Sequence, residues 1–212
     1  MNGRLLRCEQ LKEAEELAMF KLMRECFEGV TREVFAHDLS EKNWVVLLED
    51  AGRICGFSTL LVQKGIVHSG DTIVHRDAWG SSALARTWLE AIRELQPEYW
   101  LLITSGYRTY RFLPVFWKEF WPRHDSVERP ALLESLARAR YGERYENGIV
   151  RLEFPQILRP DLAEIPSGRL ANPHVDFFTR ANPGYDRGDE LVCLCPLTPE
   201  NQTAAGRRLV AL

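Results

Sequence analysis

Residues 73 to 86 read Ile-Val-His-Arg-Asp-Ala-Trp-Gly-Ser-Ser-Ala-Leu-Ala-Arg, and this stretch decides how the rest of the chain is interpreted. An apolar run ends in small residues, and apolar positions then recur at helical spacing until Gln96 and Pro97. The pattern predicts a strand that passes into a helix over about residues 82 to 95. The first turn of a helix has main-chain N–H groups without partners inside the helix, so the junction is a candidate anion site.

The composition indicates one globular unit without a strong charge bias. The chain has 212 residues, of which 45% are hydrophobic, which is enough for one substantial core. Its 30 acidic and 27 basic residues give no general basic field for nucleic acid or an anionic membrane. No apolar run approaches the roughly 20 residues that span a bilayer. The sequence therefore predicts neither a nucleic-acid nor a membrane partner.

The five cysteines favour a reducing compartment. Their number is odd, they are scattered, and the first ten residues lack the apolar core of a secretory signal. The one close pair, Cys193 and Cys195, has no second Cys or His group at metal-ligand spacing. We therefore expect a cytoplasmic protein without a metal site.

Periodicity predicts alternating helices and strands over the first 122 residues. Helices are expected at residues 9–29, 32–39 and 82–95, and a helix broken at Pro114 at residues 107–121. An antiparallel hairpin is expected at residues 43–50 and 53–63, with further strands at residues 71–76 and 98–105.

The last third of the sequence is less regular. It predicts helices at residues 130–140 and 175–180, strands at residues 147–154 and 189–197, and a frayed tail after Pro199. We accordingly expect a core at residues 1–122, an insertion or lid at 123–174, and a helix and strand at 175–212 that complete the sheet.

This order of elements resembles that of the GNAT-type N-acyltransferases. The resemblance covers about residues 10 to 122 and 175 to 197, and it implies an α/β (α+β) fold with a mixed, mostly antiparallel central sheet flanked by helices. In that family, a loop with the pattern Gln/Arg-x-x-Gly-x-Gly/Ala binds the pyrophosphate of acyl-CoA. The corresponding residues are Asp77 to Ser82, which retain only Gly80 of the pattern.

The resemblance implies acetyl-CoA or another acyl-CoA as co-substrate and no metal. The expected binding residues are those of the strand end and of the loop: Val74, His75, Arg76, Trp79, Gly80, Ser81 and Ser82. The family also uses a main-chain amide at a bulge in its fourth strand to polarise the acyl carbonyl, and we expect that bulge near Val74 or His75. Arg76 either supplies the missing positive charge or pairs with Asp77.

The catalytic candidates are less well matched to the family. Its usual thiolate-protonating tyrosine falls at Phe116 or Trp117. Tyr107 and Tyr110 lie just beyond the strand at residues 98–105, and Tyr110 is the predicted acid. His75 is the predicted base, because its ordinary pKa near 6.5 suits proton transfer. Glu49, Asp50 and Asp71 are weaker candidates, because strand ends and turns are usually acidic for solvation alone.

Three functional alternatives remain open from the sequence. The first is an N-acyltransferase that acts on an amine of a small molecule or a protein, with a homodimer left open. The second is a catalytically inactive GNAT-like protein that binds a nucleotide, an acyl carrier or a protein. The third is an unrelated α/β scaffold that uses the aromatic residues between Phe112 and Trp121 for protein contact; packing in the core is the simpler explanation of those residues.

Overall fold

A mixed eight-stranded sheet organises the chain, and the computed structural model describes residues 1–126 and 128–210. The strands are β1 (Asn2–Arg7), β2 (Phe27–Glu28), β3 (Trp44–Asp50), β4 (Arg53–Gln63), β5 (Ile66–Val74), β6 (Tyr99–Thr104), β7 (Tyr145–Glu146), β8 (Ile149–Val150), β9 (Ile157–Leu158) and β10 (Glu190–Pro196). The order in the main sheet is β1-β3-β4-β5-β6-β10-β8-β7, and β2 pairs with β9 separately.

Helices cover both faces of this sheet. They are α1 (Glu13–Cys26), α2 (Arg32–Ser40), α3 (Ala83–Leu95), α4 (Tyr107–Tyr110), α5 (Phe112–Phe116), α6 (Ala131–Tyr141), α7 (Pro160–Ala163), α8 (Pro173–Ala181) and α9 (Ala204–Leu209). Within the described part of the chain, no helix has the length and apolar character needed to cross a membrane.

Strand β5 carries a bulge that fixes which side chains share a face. Ser58 pairs with Thr72 and Leu60 pairs with Ser69, so Thr59 alone opposes both Gly70 and Asp71. The extra residue reverses the alternation, and Ile66 and Ile73 therefore lie on the same face although they are seven positions apart. The bulge was expected near Val74 or His75, so that expectation was wrong by about four residues.

Helix α3 covers the opposite face, as its apolar spacing predicts. Trp88 of α3 packs on Trp100 of β6 with ring centroids 4.3 Å apart, and the Trp100 indole donates to Ser69 Oγ at 2.8 Å. The helix connects two parallel strands, β5 and β6, which is the connection that parallel neighbours require.

The parallel pairing of β5 with β6 is short, and this creates the main cavity. It joins Ile66–Ser69 to Tyr99–Leu102 and ends at the bulge. Beyond that point the two strands separate, and a cavity of about 880 Å³ lies between them. On the face opposite α3, apolar residues form one cluster under α1 and α2 and another that includes α6, and the cavity reaches the polar groups between these clusters.

Several boundaries differ from the sequence predictions. The predicted helix at residues 9–29 is limited to α1, and the chain before it forms an edge strand, β1, that pairs with β3. The predicted strand at residues 71–76 begins earlier, at Ile66. The predicted strand at 147–154 retains only β8, which forms a hairpin with β7.

The tail as far as residue 210 is folded rather than frayed. It forms α9, whose first turn is capped by the Thr203 hydroxyl, and Thr203 also donates to Val115 O at 2.7 Å. Residues 123–174 include α6 and contribute the β7–β8 hairpin to the main sheet. Some of these residues also line the cavity. Their role as an insertion or lid stays a prediction.

Candidate active site

The first turn of α3 forms one end of the cavity and presents free main-chain amides. Within the described chain, the amides of Gly80, Ser82, Leu84 and Ala85 have no hydrogen-bond acceptor, while the Ala83 amide donates to Ser81 Oγ at 3.0 Å. These amides lie at the positive end of the helix dipole, where an anion is favoured. The corner is exposed and open to a ligand.

Two of the predicted anion-binding amides are already used by the protein. The Trp79 amide donates to Arg76 O and the Ser81 amide donates to Ala78 O, at 3.2 and 3.0 Å. The free amides are therefore those of Gly80 and Ser82 in the predicted loop and those of Leu84 and Ala85 in the helix. Gly80 has φ outside the left-handed region, and a Cβ built on it meets no atom within 4 Å, so the fold itself does not require glycine there.

Trp79 contacts the main chain of β5 and two nearby arginine side chains at this end of the cavity. Its indole N–H donates to Val74 O at 2.9 Å, and the Arg108 guanidinium lies 4.6 Å from the ring centroid. Arg76 forms an ion pair with Asp161 of α7, outside the cavity lining. Of the predicted binding residues, Val74, Trp79, Ser81 and Ser82 line the cavity, whereas His75, Arg76 and Gly80 do not.

His75 is not placed to act as a base. Its Nδ1 accepts from the Asp77 amide at 3.3 Å, and its Nε2 lies 3.7 Å from a Glu25 carboxylate oxygen. Its amide donates to Cys55 O at 2.8 Å, so it has no N–H left to polarise an acyl carbonyl. The interactions of His75 are structural.

Tyr110 is also outside the cavity. It is fully buried, its hydroxyl donates to Pro122 O at 3.0 Å, and its ring packs against Phe120 and Phe178. Burial raises the pKa of its hydroxyl. Tyr107, which begins α4 directly after β6, does line the cavity. The geometry favours Tyr107 over the predicted Tyr110 as a proton donor.

A group of ionisable side chains occupies the other end of the cavity, around the bulge. Asp71 lies in the bulge and Glu190 begins β10, and both line the cavity. Burial, followed by the nearby charge of Asp38, raises the pKa of Asp71. Burial, followed by the charge of Asp71, raises the pKa of Glu190 to about 8. Burial therefore shifts both carboxyls toward the protonated, neutral form.

The basic side chains near these carboxyls have acidic partners of their own. Lys42 Nζ donates to Asp38 Oδ1 at 2.7 Å and to Asp38 O at 3.0 Å. Arg140 lies 3.4 Å from a Glu41 carboxylate oxygen. The glycine at position 70 permits the approach of Lys42, since a Cβ there would lie 2.7 Å from Lys42 Cε.

Sequence reasoning missed Glu190 and underestimated Asp71. A charged residue at the start of an apolar strand is typical of a solvated strand end, and nothing local distinguishes these two. Their proximity depends on the bulge in β5 and on the pairing of β10 with β6, which joins positions about 90 residues apart. Among the described residues, no group of three or more His, Cys, Asp and Glu side chains is arranged to hold a metal ion.

A bulged strand that leads into a helix with free amides in its first turn is the arrangement that the sequence resemblance implied. The architecture is GNAT-like. The expected fold class, a mixed and mostly antiparallel sheet flanked by helices, is confirmed by the strand order.

Solved structures with similarity to this GNAT-like chain include three named transferases. The ribosomal-protein-S18-alanine N-acetyltransferase from Escherichia coli is 12% identical over 92% of this chain and 94% of its own, with a TM-score of 0.47. The IAA acetyltransferase from Bacillus cereus is 9% identical over 92% and 98%, with a TM-score of 0.45. An acyl-CoA N-acyltransferase from Pseudomonas aeruginosa is 19% identical over 49% and 79%, with a TM-score of 0.42.

No family model and no curated protein matches the chain. Identities and TM-scores this low give no information about the acceptor or about individual catalytic residues.

Proposed function

We propose that the protein is an acyl-CoA-dependent N-acyltransferase. The observation that supports this most strongly is one continuous cavity with free helix amides at one end and titratable carboxyls at the other. An acyl-CoA pyrophosphate is suited to the first end and an amine to the second, with the thioester between them. Positioning of this kind can supply much of the rate of acyl transfer.

Asp71 is the proposed base, in place of His75. An acceptor ammonium gives one proton to the Asp71 carboxylate, and the free amine nitrogen then forms a bond to the thioester carbon. As the C–S bond breaks, the thiolate takes a proton from Tyr107, and the nitrogen loses its second proton to restore that hydroxyl. The net products are an amide, a free thiol and one proton, which remains on Asp71 until solvent removes it.

A direct transfer is favoured over an acyl-cysteine intermediate. Of the five cysteines, Cys26 alone lines the cavity. Burial raises the pKa of its thiol to about 11, so the nucleophilic thiolate is scarce at neutral pH.

Ser82→Glu tests the anion site. A carboxylate at this exposed position should weaken acetyl-CoA binding at least about tenfold, which corresponds to about 1.4 kcal/mol. The same charge at a helix N-terminus is favourable for the helix, so the free protein should be no less stable than wild type. Thermal unfolding with and without acetyl-CoA measures both effects, because ligand at 100 times its dissociation constant stabilises by about 2.7 kcal/mol.

Ser82→Ala is the matched control, because the Ser82 hydroxyl caps no amide of α3. It should bind acetyl-CoA as wild type does. Equal affinity of Ser82→Glu and wild type would remove the assignment of the anion site to this turn.

Tyr107→Phe tests the proton donor. Removing the hydroxyl should lower kcat about 10- to 100-fold, because the thiolate then leaves without a proton. Acetyl-CoA affinity should change less than about twofold. Thiol release under saturating acetyl-CoA measures kcat. Tyr110→Phe is the control: it should cost about 1 kcal/mol of stability through its lost hydrogen bond and leave kcat unchanged. The reverse pattern would restore Tyr110 as the acid.

The alternative function, binding without transfer, is favoured by one observation. The two catalytic side chains expected from the sequence, His75 and Tyr110, both lie outside the cavity. A protein of this kind would be protected by acetyl-CoA against unfolding but would release no thiol with any amine.

A further inference from the structure

The carboxyl of Glu190 lies in the cavity with no cation beside it. Hydrogen bonding from Ser105, directly after β6, lowers the pKa of this carboxyl, but burial has the larger effect and raises it. Within the described residues the Glu190 carboxyl makes no ion pair. Lys42 is paired with Asp38, and Arg140 is paired with Glu41. A partly buried carboxyl without a countercharge is costly, and a bound cation would remove that cost.

A second buried group at the same place also lacks a partner. His68 lines the cavity, is 7% exposed, and its Nδ1 makes no hydrogen bond within the described residues. Burial, with the charges of Arg140 and Lys42, lowers the pKa of His68 to about 4, so it is a neutral acceptor at physiological pH. Neutral imidazole and carboxylate are both suited to an N–H donor.

We propose that Glu190 binds the protonated amine of the acceptor next to Asp71, and that the acceptor is a primary alkylamine without a carboxylate beside the amine. This inference rests on the proposed function and assigns its acceptor class. A carboxylate one carbon from the nitrogen would lie among Asp71, Glu190 and Asp38. The one cation that acts on Asp71 is Lys42, which is paired with Asp38, and the charges that act on Glu190 are acidic. A bound ammonium favours the ionised form of these carboxyls, and repulsion between like charges in a partly buried site then opposes such an acceptor.

The cavity wall has apolar side chains that are suited to the alkyl part. Phe27, Leu152 and Phe154 line the cavity, and Phe154 is 65% exposed. Apolar contacts of this kind favour a hydrocarbon arm behind the amine.

The test compares n-pentylamine with norleucine, which has the same carbon chain and an added carboxylate beside the amine. Purified full-length protein is supplied with acetyl-CoA, and thiol release gives kcat and KM. For wild type, we expect kcat/KM for n-pentylamine to exceed that for norleucine at least 100-fold. Glu190→Gln should raise KM for n-pentylamine at least tenfold, with kcat within threefold and acetyl-CoA affinity unchanged. Glu190→Asp should recover part of the loss.

Glu146→Gln is the control, since Glu146 is exposed and lies outside the cavity. It should leave both kinetic constants unchanged. An unchanged KM in folded Glu190→Gln, equal use of norleucine, or transfer to other amines but not to n-pentylamine would each overturn the inference while the transferase proposal stands. Absence of both acetyl-CoA protection and thiol release with every amine would instead overturn the proposed function.

Discussion

Asp71→Asn should lower kcat for acyl transfer by about 10²- to 10⁴-fold, the range expected for loss of a general base. The variant keeps nearly the same volume in the bulge of β5 and cannot accept the ammonium proton. Acetyl-CoA affinity should stay within about twofold of wild type, because Asp71 lies in the bulge of β5 and not in the first turn of α3. Stopped-flow thiol release with saturating acetyl-CoA and n-pentylamine measures the effect.

The matched control for this variant is Asp77→Asn. Asp77 is exposed and does not line the cavity, and its Oδ2 lies 3.5 Å from Arg53 Nη2. Asp77→Asn makes the same carboxyl-to-amide change six residues along the chain, and it should keep wild-type kcat. If Asp71→Asn retains more than about a tenth of wild-type kcat, another group removes the proton and the role of Asp71 is wrong.

Activity and stability should change in opposite directions between pH 5 and pH 8. The folded-state pKa values of Asp71 and Glu190 are raised above their unfolded values. Their contribution to stability is therefore fully present below the unfolded pKa values, near 4, and is lost as pH rises through the folded values. We expect wild type to lose on the order of 1 to 3 kcal/mol of unfolding free energy from these groups over this interval.

The kinetic change has the opposite sign because the base must be ionised. We expect kcat/KM to rise up to about tenfold per pH unit below the raised pKa and then to level off. Urea unfolding and initial rates at pH 5, 6, 7 and 8 measure the two trends. Glu190→Gln should flatten the stability trend, and Asp71→Asn should remove the kinetic break.

The charged groups that face this pair set where the change occurs. Asp38 and Lys42 from α2 and its end affect Asp71, and Asp189 and Asp71 affect Glu190. The pH at which kcat/KM levels off should be the same for amines of different basicity, because the group that titrates belongs to the protein. A break that follows the pKa of the amine would contradict the assignment.

The order of the elements could be predicted from sequence because each signal was local. The helical spacing from Ala83 to Leu95 and the hairpin around Ala51 and Gly52 both correspond to observed elements. Strand β1 was not predicted, since its polar edge-strand pattern is completed only by pairing with β3.

The candidate site was predicted at one end and missed at the other. The helix terminus is a property of neighbouring residues, so its amides could be anticipated at residues 79 to 82, with an error of a few positions. The carboxyl end is assembled from α2, β5 and β10, and its acidity depends on burial that no single stretch specifies. Tyr110 was favoured from its place in the chain, but the short break between α4 and α5 directs its ring into the core.

The four-residue length of the β5–β6 pairing has a consequence for how a substrate is held. Beyond Ser69 and Leu102, the inner margins of two adjacent strands face each other without a ladder between them. A linear ligand with its own amide groups can therefore hydrogen-bond to main chain along its length, as an added strand does at an open sheet edge. Recognition of that kind depends on the backbone and is insensitive to side-chain identity, so it tolerates wide sequence divergence.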